Sequence, residues 1–449
     1  MAKRFRQCAW EQEYLLPPSL EDWLPEGHLA RFIAEVCGQL DLGAIYAQYE
    51  GDGRGLAAYH PLMMVRLLVY GYATGRRSSR GIERATYDDV AFRYLAVNQQ
   101  PDHDTIAAFR QRHLAAIEGL FTQVLGLCRR TGLMKVGVVA IDGTKMLANA
   151  NPERTVRYNE LEEAERRLVR RWLEEAEQVD AEEDERYGKG RSPSDLPADM
   201  ATVEQRLNKI REAKQQLEQE ARERAEAANQ ERQDNGGKHK NQAAKKRYKR
   251  AHEAMAKANP QYNWTDPDSK IMRDAATGGW VQAYNAQAAV DESQIIVAAE
   301  ISNVPADRAH LVPMASAVQA ALGQMPETLL ADAGYFSIEA FDDPLLHDVH
   351  VLVSPDGGGP RSRRTPTPAN AAKHPQAQRM REQLHSEPGR TLYAKRKTLI
   401  EPVFGQIKEA RHIRRFLLRG INQVRAEWRL ICATHNLLKL FRAAKASPA

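Results

Sequence analysis

The spacing of apolar positions changes character several times along the chain. Up to about residue 130 it is helical. Residues 61–72 (PLMMVRLLVYGY) read as an apolar helix core, and residues 78–87 follow a Gly-Arg-Arg turn. Residues 104–128 carry Ile106, Phe109, Leu114, Ile117, Leu120 and Leu125 near helical spacing. Asp102 or Asp104 would cap that helix, since a carboxylate can accept from the free backbone N–H groups of a first turn. At Val136 the period shortens. Residues 136–141 (VGVVAI) are β-branched and run into Asp142-Gly143, which predicts a buried strand with an acid at its C-terminal edge.

More than a hundred residues of a different kind follow. Residues 157–182 are highly charged and helical in pattern, and residues 187–197 are loop-like. Met200, Val203, Leu207, Ile210, Leu217 and Ala221 then recur at heptad spacing, with Lys214 interrupting one core position. Together these predict an antiparallel helical hairpin, which returns the chain to where it left and so can be inserted into another domain. Residues 151–235 hold 23 acids against 16 bases, whereas residues 236–260 hold eight bases and one acid. The switch fits either a basic segment near nucleic acid or a charged linker.

Strand signals return at Gly279. Residues 280–290 and 294–301 flank Asp291-Glu292-Ser293 and predict a β-hairpin. A helix over 307–322, a strand over 328–330 leading into Asp332, a helix over 337–346 and a strand over 349–353 come next. Residues 357–388 are rich in Pro, Gly and Arg and read as a mobile loop. From Thr391 the pattern is helical. The expected class is therefore α/β: a mixed sheet interrupted by a helical-hairpin insertion, with an all-α N-terminal domain. The expected domains are 1–130, helical; 131–150, the start of the sheet domain; 151–261, the insertion with its basic end; and 262–445, the rest of the sheet domain with basic C-terminal helices.

Composition narrows the class little. With 449 residues, 43% hydrophobic and 27% charged, the chain suits two or three folded domains. The net charge of +5 says less than its distribution. Arginines 76, 77, 80, 84, 93, 110 and 112 cluster on the short N-terminal helices, as a helix-turn-helix variant or as a solvated basic face. Residues 390–442 carry 13 Lys/Arg against three acids, which favours contact with a nucleic-acid backbone. The four cysteines have no zinc spacing and read as reduced thiols. A basic, polar start and the lack of any long apolar run predict neither a leader nor a membrane span, so the expected location is cytoplasmic, next to the bacterial nucleoid.

Three acids carry the candidate chemistry. Asp142 and Asp332 each follow a strand and precede a glycine, and α/β sites form outside the carboxyl ends of strands. On neighbouring strands the two carboxylates would converge, and such a pair calls for a cation; oxygen ligands suit Mg²⁺ or Mn²⁺. Asp-Gly after a strand is also an ordinary turn. Glu401 is the third acid. Lys408, seven residues on, shares its helical face, as does Lys397 if the helix is straight; Pro402 puts Glu401 at a kink or at a helix start. Two ions so held would suit in-line phosphoryl transfer.

At these residues the chain resembles the DDE transposases of bacterial insertion sequences. The likeness runs through HPLMMVRLLVYGYATGRRSSRGIE and PDHDTIAAFRQRH, VVAIDGTK, LLADAGYFS, LIEPVFGQIKEARHIRRFLLRG and THNLLKL. It implies an RNase-H-like catalytic domain with Asp142, Asp332 and Glu401 as metal ligands for two Mg²⁺ or Mn²⁺ ions. It also implies recognition of the element's inverted repeats, strand cleavage and strand transfer, and a homodimer on DNA. Lys397 or Arg396, Lys408, Arg411, Arg414, Arg415, Arg419, Arg110 and Arg112 are the expected DNA contacts. The family's third motif runs Tyr, two residues, Arg, three residues, Glu, six residues, Lys. Lys408 keeps that spacing, but strict spacing upstream lands on Ala394 and Lys397, with Tyr393 and Arg396 one residue away. Either Lys397 replaces the arginine or a local bulge brings Arg396 in. The competing readings are a non-rejoining RNase-H-like nuclease and an inactive or domesticated transposase-derived DNA-binding protein.

Overall fold

The computed structural model describes residues 19–49, 57–167, 170, 207–223, 260–274, 278–355 and 375–446. The chain divides into two compact units, Met1–Leu147 with Asn285–Ala449, and Ala148–Tyr284.

The longer helices described at the start of the first unit are α1 Leu29–Gln39, α2 Pro61–Thr74, α3 Ser79–Asp88, α4 Val90–Leu95, α5 His103–Arg112 and α6 Leu114–Arg130. Asp102 is the cap of α5, accepting from the Thr105 N–H at 2.8 Å. The long helix expected over 104–128 breaks at His113, whose ring stacks on Tyr49 and leans on Phe109. α2 is buried on nearly every side and ends at Gly75, φ +84°, where a Cβ would stand 2.3 Å from the Arg411 carbonyl oxygen. Only glycine suits that combination of left-handed backbone and close approach.

The strands are β1 Val138–Leu147, β2 Thr155–Arg157, β3 Gln261–Asn263, β4 Lys270–Arg273, β5 Trp280–Asp291, β6 Ile296–Ser302, β7 Thr328–Ala331 and β8 His350–Val353. β5, β1, β7 and β8 lie side by side in that order, and β6 also pairs with β5. β1, β7 and β8 are parallel, while β5 and β6 form the expected antiparallel hairpin. The sheet is therefore mixed.

The longer helices that follow in the first unit are α7 Leu311–Leu322, α8 Pro375–His385, α9 Glu387–Gly405 and α10 Ile421–Ala446. Two local expectations change here. The loop expected over 357–388 contains α8 and the start of α9, whose Pro388 sits in the first turn, where its missing N–H costs nothing; residues 356–374 lie outside the described residues. The helix expected over 337–346 is two short turns, Ile338–Phe341 capped by Ser337 and Pro344–Leu346 capped by Asp343.

α10 forms the spine of this unit, packing along α6, α2 and β6. Its buried Trp428 donates from Nε1 to the Gln287 carbonyl at 2.9 Å, and the Asn436 amide bonds both the N–H and the carbonyl of Ile296. Buried Glu427 accepts from Tyr72 Oη, from Arg77 Nη1 at 2.8 Å and from the Leu417 and Leu418 N–H groups. That carboxylate ties α2 and the turn after it to the C-terminal chain.

In the second unit, residues 158–167 and 207–223 are helical. They run antiparallel: Tyr158 Oη donates to Glu218 at 2.8 Å and Lys214 Nζ to Glu165 at 2.7 Å. Tyr158, Leu161, Ile210, Ala213 and Leu217 form their core. Lys214, the break in the heptad, is accommodated by Glu165 and by the face of the Tyr158 ring, 5.8 Å from its ammonium. β2 pairs with β3, and β4 pairs with the first residues of β5. The basic stretch of residues 236–259 lies outside the described residues. Cys37, Cys128 and Cys432 are buried free thiols, and Cys8 is not among the described residues. Among the described residues no helix is long and apolar enough to cross a membrane.

Candidate active site

The register of β1 on β7 brings two of the three expected acids to one place. Val138 to Ile141 pair with Thr328 to Ala331, so Asp142 and Asp332 are the next residues on adjacent parallel strands. β7 stops at Ala331, whereas β1 continues to Leu147, which corrects the expectation that Asp142 ends its strand. β1 continues because β5 flanks its other side and Leu147 bridges to Arg415. Asp142 is therefore mid-strand but projects beyond the end of its parallel neighbour.

The Asp142 carboxyl is raised to about 6, first by burial and then by the nearby charges of Asp332 and Asp307; Arg396 and a bond from the Gly143 N–H pull the other way. Arg396 Nη1 donates to Asp142 Oδ2 at 3.0 Å. Asp332 caps the turn Ala333–Tyr335, accepting from the Gly334 N–H at 2.8 Å.

Glu401 does not join them. It lies inside α9, which continues through Pro402, rather than at a helix start, and its side is exposed together with that of Lys397. Tyr393, Arg396, Ile400 and Val403 make the buried stripe of α9. Arg396, not Lys397, is thus the basic side chain that reaches an aspartate, and regular helix suffices to bring it there. A π turn, Gln406–Ala410, follows α9, and Lys408 Nζ donates to the Lys145 carbonyl at 2.8 Å. Among the described residues no three His, Cys, Asp or Glu side chains stand close enough together to hold a metal ion. Asp142 and Asp332 suit a hard divalent ion, which takes one or two carboxylates plus substrate oxygens; the expected third ligand is not beside them.

The expected DNA contacts separate into two groups. Arg112, Arg414, Arg415 and Arg419 are exposed, with Arg414 paired to Glu409. Arg110 and Arg411 are corrected: both are buried. Arg110 bonds to Tyr72 Oη and the Arg77 carbonyl, and Arg411 to the Ile431 carbonyl and Thr434 Oγ1. Their charges serve the interior, since a buried guanidinium needs its acceptors there.

Four side chains beside the acids escaped the sequence reading. Asp307 Oδ1 accepts from Asn285 Nδ2 at 2.6 Å and Gln287 Nε2 at 2.9 Å, with Lys145 Nζ at 3.5 Å. The available signal was in β5, where Asn285 and Gln287 alternate within a run of buried residues. Polar groups in such a strand need partners on one face. Lys145 stood in the VVAIDGTK run, and Asp307 at a helix start gave no distinctive signal.

A mixed α/β sheet that sets Asp142, within β1, beside Asp332, just past the end of the parallel strand β7, defines the class of this site. Residues 18–112 match the family model of a transposase domain (DUF772), and residues 361–441 match that of a transposase DDE domain. The second match includes Glu401 and Lys408 and lies outside Asp142 and Asp332. No curated protein and no solved structure matches the chain. Both family matches point to the same kind of protein: a transposase domain near one end of the chain and a transposase DDE domain near the other support a DDE transposase of an insertion sequence.

Proposed function

We propose that the chain binds the terminal inverted repeats of its own element, cleaves DNA there and transfers the freed 3′ ends to target DNA. The observation that carries this reading is the pairing of Ile141 with Ala331, which sets Asp142 and Asp332 on adjacent strands. On this reading the sheet is RNase-H-like, residues 131–150 and 262–445 form the catalytic domain, and residues 151–261 are inserted in it. Residues 1–130 are the helical DNA-binding domain.

Asp142 and Asp332, joined by Glu401 when DNA engages α9, would hold two Mg²⁺ or Mn²⁺ ions, which supply activation of the attacking oxygen and stabilisation of the leaving one. Lys408 beside β1, together with the exposed Arg414, Arg415 and Arg419, holds backbone phosphates. Two ends must meet in one complex, so the working form is a homodimer on DNA.

The test is Asp142→Ala on the full chain with end-containing plasmid. Cleavage is lost while binding to element ends persists; cleavage at the wild-type rate refutes the reading. Pre-cut ends that bind but never join to target DNA would make the chain a nuclease instead.

A further inference from the structure

We propose that Asp307 is a positioning residue that sets the spacing of the Asp142 and Asp332 carboxylates. The inference rests on the proposed metal role of those two acids. Asp307 lies in the turn Asp307–Ala309 after β6, and that turn packs against the one that Asp332 caps.

One arm runs toward Asp142. The residue after Asp142 is Gly143, where a Cβ would stand 2.9 Å from Asp307 Oδ1, 2.3 Å from Gln287 Nε2 and 2.8 Å from Asn285 Oδ1. β1 can approach this cluster so closely only because the side chain is missing. Two residues further along β1, Lys145 Nζ is 3.5 Å from the same carboxylate oxygen. Asp307 therefore lies close against β1 at Gly143 and pairs with it through Lys145.

The other arm runs toward Asp332. Gln287 spends its amide N–H on Asp307 and accepts from the buried Tyr335 hydroxyl with its oxygen. Tyr335 is the last residue of the turn whose first N–H groups Asp332 caps. A Cβ at Gly334 would stand 3.0 Å from Asp332 Oδ1 and 3.7 Å from Asp307 Oδ2, so the two carboxylates border the same glycine. Asn285 and Gln287 both donate to Oδ1 from β5, the strand that flanks β1. A single carboxylate is thus linked through side chains to β1, by Lys145, and to the turn that Asp332 caps, by Gln287 and Tyr335. Groups that orient metal ligands typically govern affinity by about 10–100-fold although they touch no metal.

The experiment is calorimetric titration of the full-length chain with Mn²⁺ alone, without DNA, at pH 7.5. Asp307→Ala should bind about 10–100-fold more weakly, while Asp307→Asn, which keeps an oxygen for the two amides, recovers part of the loss. Melting and end binding in EDTA stay near wild type. Wild-type Mn²⁺ affinity in folded Asp307→Ala overturns the proposal. If that variant does not fold, Gln287→Met severs the Asp332 arm while Asn285 and Lys145 still hold Asp307, and unchanged affinity there overturns it equally. Asp142→Ala is the reference. If it too binds Mn²⁺ like wild type, the parent reading fails; if it loses Mn²⁺ while the Asp307 and Gln287 variants do not, only this inference fails.

Discussion

Arg396 donates from Nη1 to Asp142 Oδ2 at 3.0 Å, across 254 residues of sequence, and both side chains are largely buried. The pair forms because α9 lays its apolar stripe on β1 and Arg396 falls within that stripe. The guanidinium partly offsets the burial of a carboxyl that also faces Asp332 and Asp307.

Replacing Arg396 with Ala is therefore expected to destabilise the chain in a pH-dependent way. The Asp142 carboxyl titrates near 6 in the folded chain, above the roughly 4 of an unfolded aspartate. Between those values the fold holds the extra proton, so ionising Asp142 costs stability as pH rises through about 6. Arg396 offsets that cost only while Asp142 is charged. Urea unfolding should show a loss of about 1–3 kcal/mol at pH 8 and a clearly smaller one at pH 5. Equal losses at both values would mean that the pair contributes packing alone.

The buried carboxylate of Glu427 gives a second prediction. It receives Tyr72, Arg77 and two backbone N–H groups, and Arg77 is itself buried. Glu427→Ala strands that guanidinium without its counter-charge and should cost about 3–5 kcal/mol. Adding Arg77→Met to Glu427→Ala should restore part of the loss, because the stranded charge is gone. Thermal melts of the two single variants and the double variant check this; strict additivity would count against the pair.

Much of this arrangement was legible in the sequence, and the misses share a cause. β1, the β5–β6 hairpin and β7 follow from apolar runs and their breaks, and Asp142 and Asp332 could be paired because each immediately follows a short apolar run whose residues pair in register. What periodicity does not give is where a strand stops: β1 passes through Asp142 because β5 supports it, a long-range fact. It also does not separate buried arginine from exposed. Arg110 and Arg411 look like surface charges by residue type, yet carbonyls and hydroxyls 20 or more residues away receive them. Arg396 and Lys397 differ by one residue, and only the docking of α9 decides which faces the sheet. Asp307 was missed because its partners come from β1 and β5 at once.

Two glycines should respond to alanine with opposite signs. At Gly143 a Cβ would collide with Gln287 Nε2, Asn285 Oδ1 and Asp307 Oδ1, all side chains held in a network. Overpacking of that kind costs about 1–3 kcal/mol. At Gly405 a Cβ meets nothing within 4 Å and the backbone is helical, φ −60° and ψ −44°. There alanine should stabilise by about 0.5–1 kcal/mol, since it reduces the freedom of the unfolded chain. Chemical denaturation of both variants would show it, and a destabilised Gly405→Ala would point to a need for flexibility before the π turn.

The acid range should also govern divalent-ion binding, if Asp142 is a ligand. Only the ionised carboxylate coordinates, so the ion competes with the proton that burial and the neighbouring acids hold on Asp142 to about pH 6. Below that value Mn²⁺ affinity should fall about tenfold for each pH unit, as one proton must leave for each ion bound, and above it the affinity should level off. Arg396 holds the carboxyl down, so Arg396→Ala should move the bend to higher pH, weakening binding at pH 6 more than at pH 8. Titrations at pH 5, 6, 7 and 8 on both proteins measure the bend directly. An affinity independent of pH over that range would remove Asp142 from the ligand set, whatever the fate of Asp332.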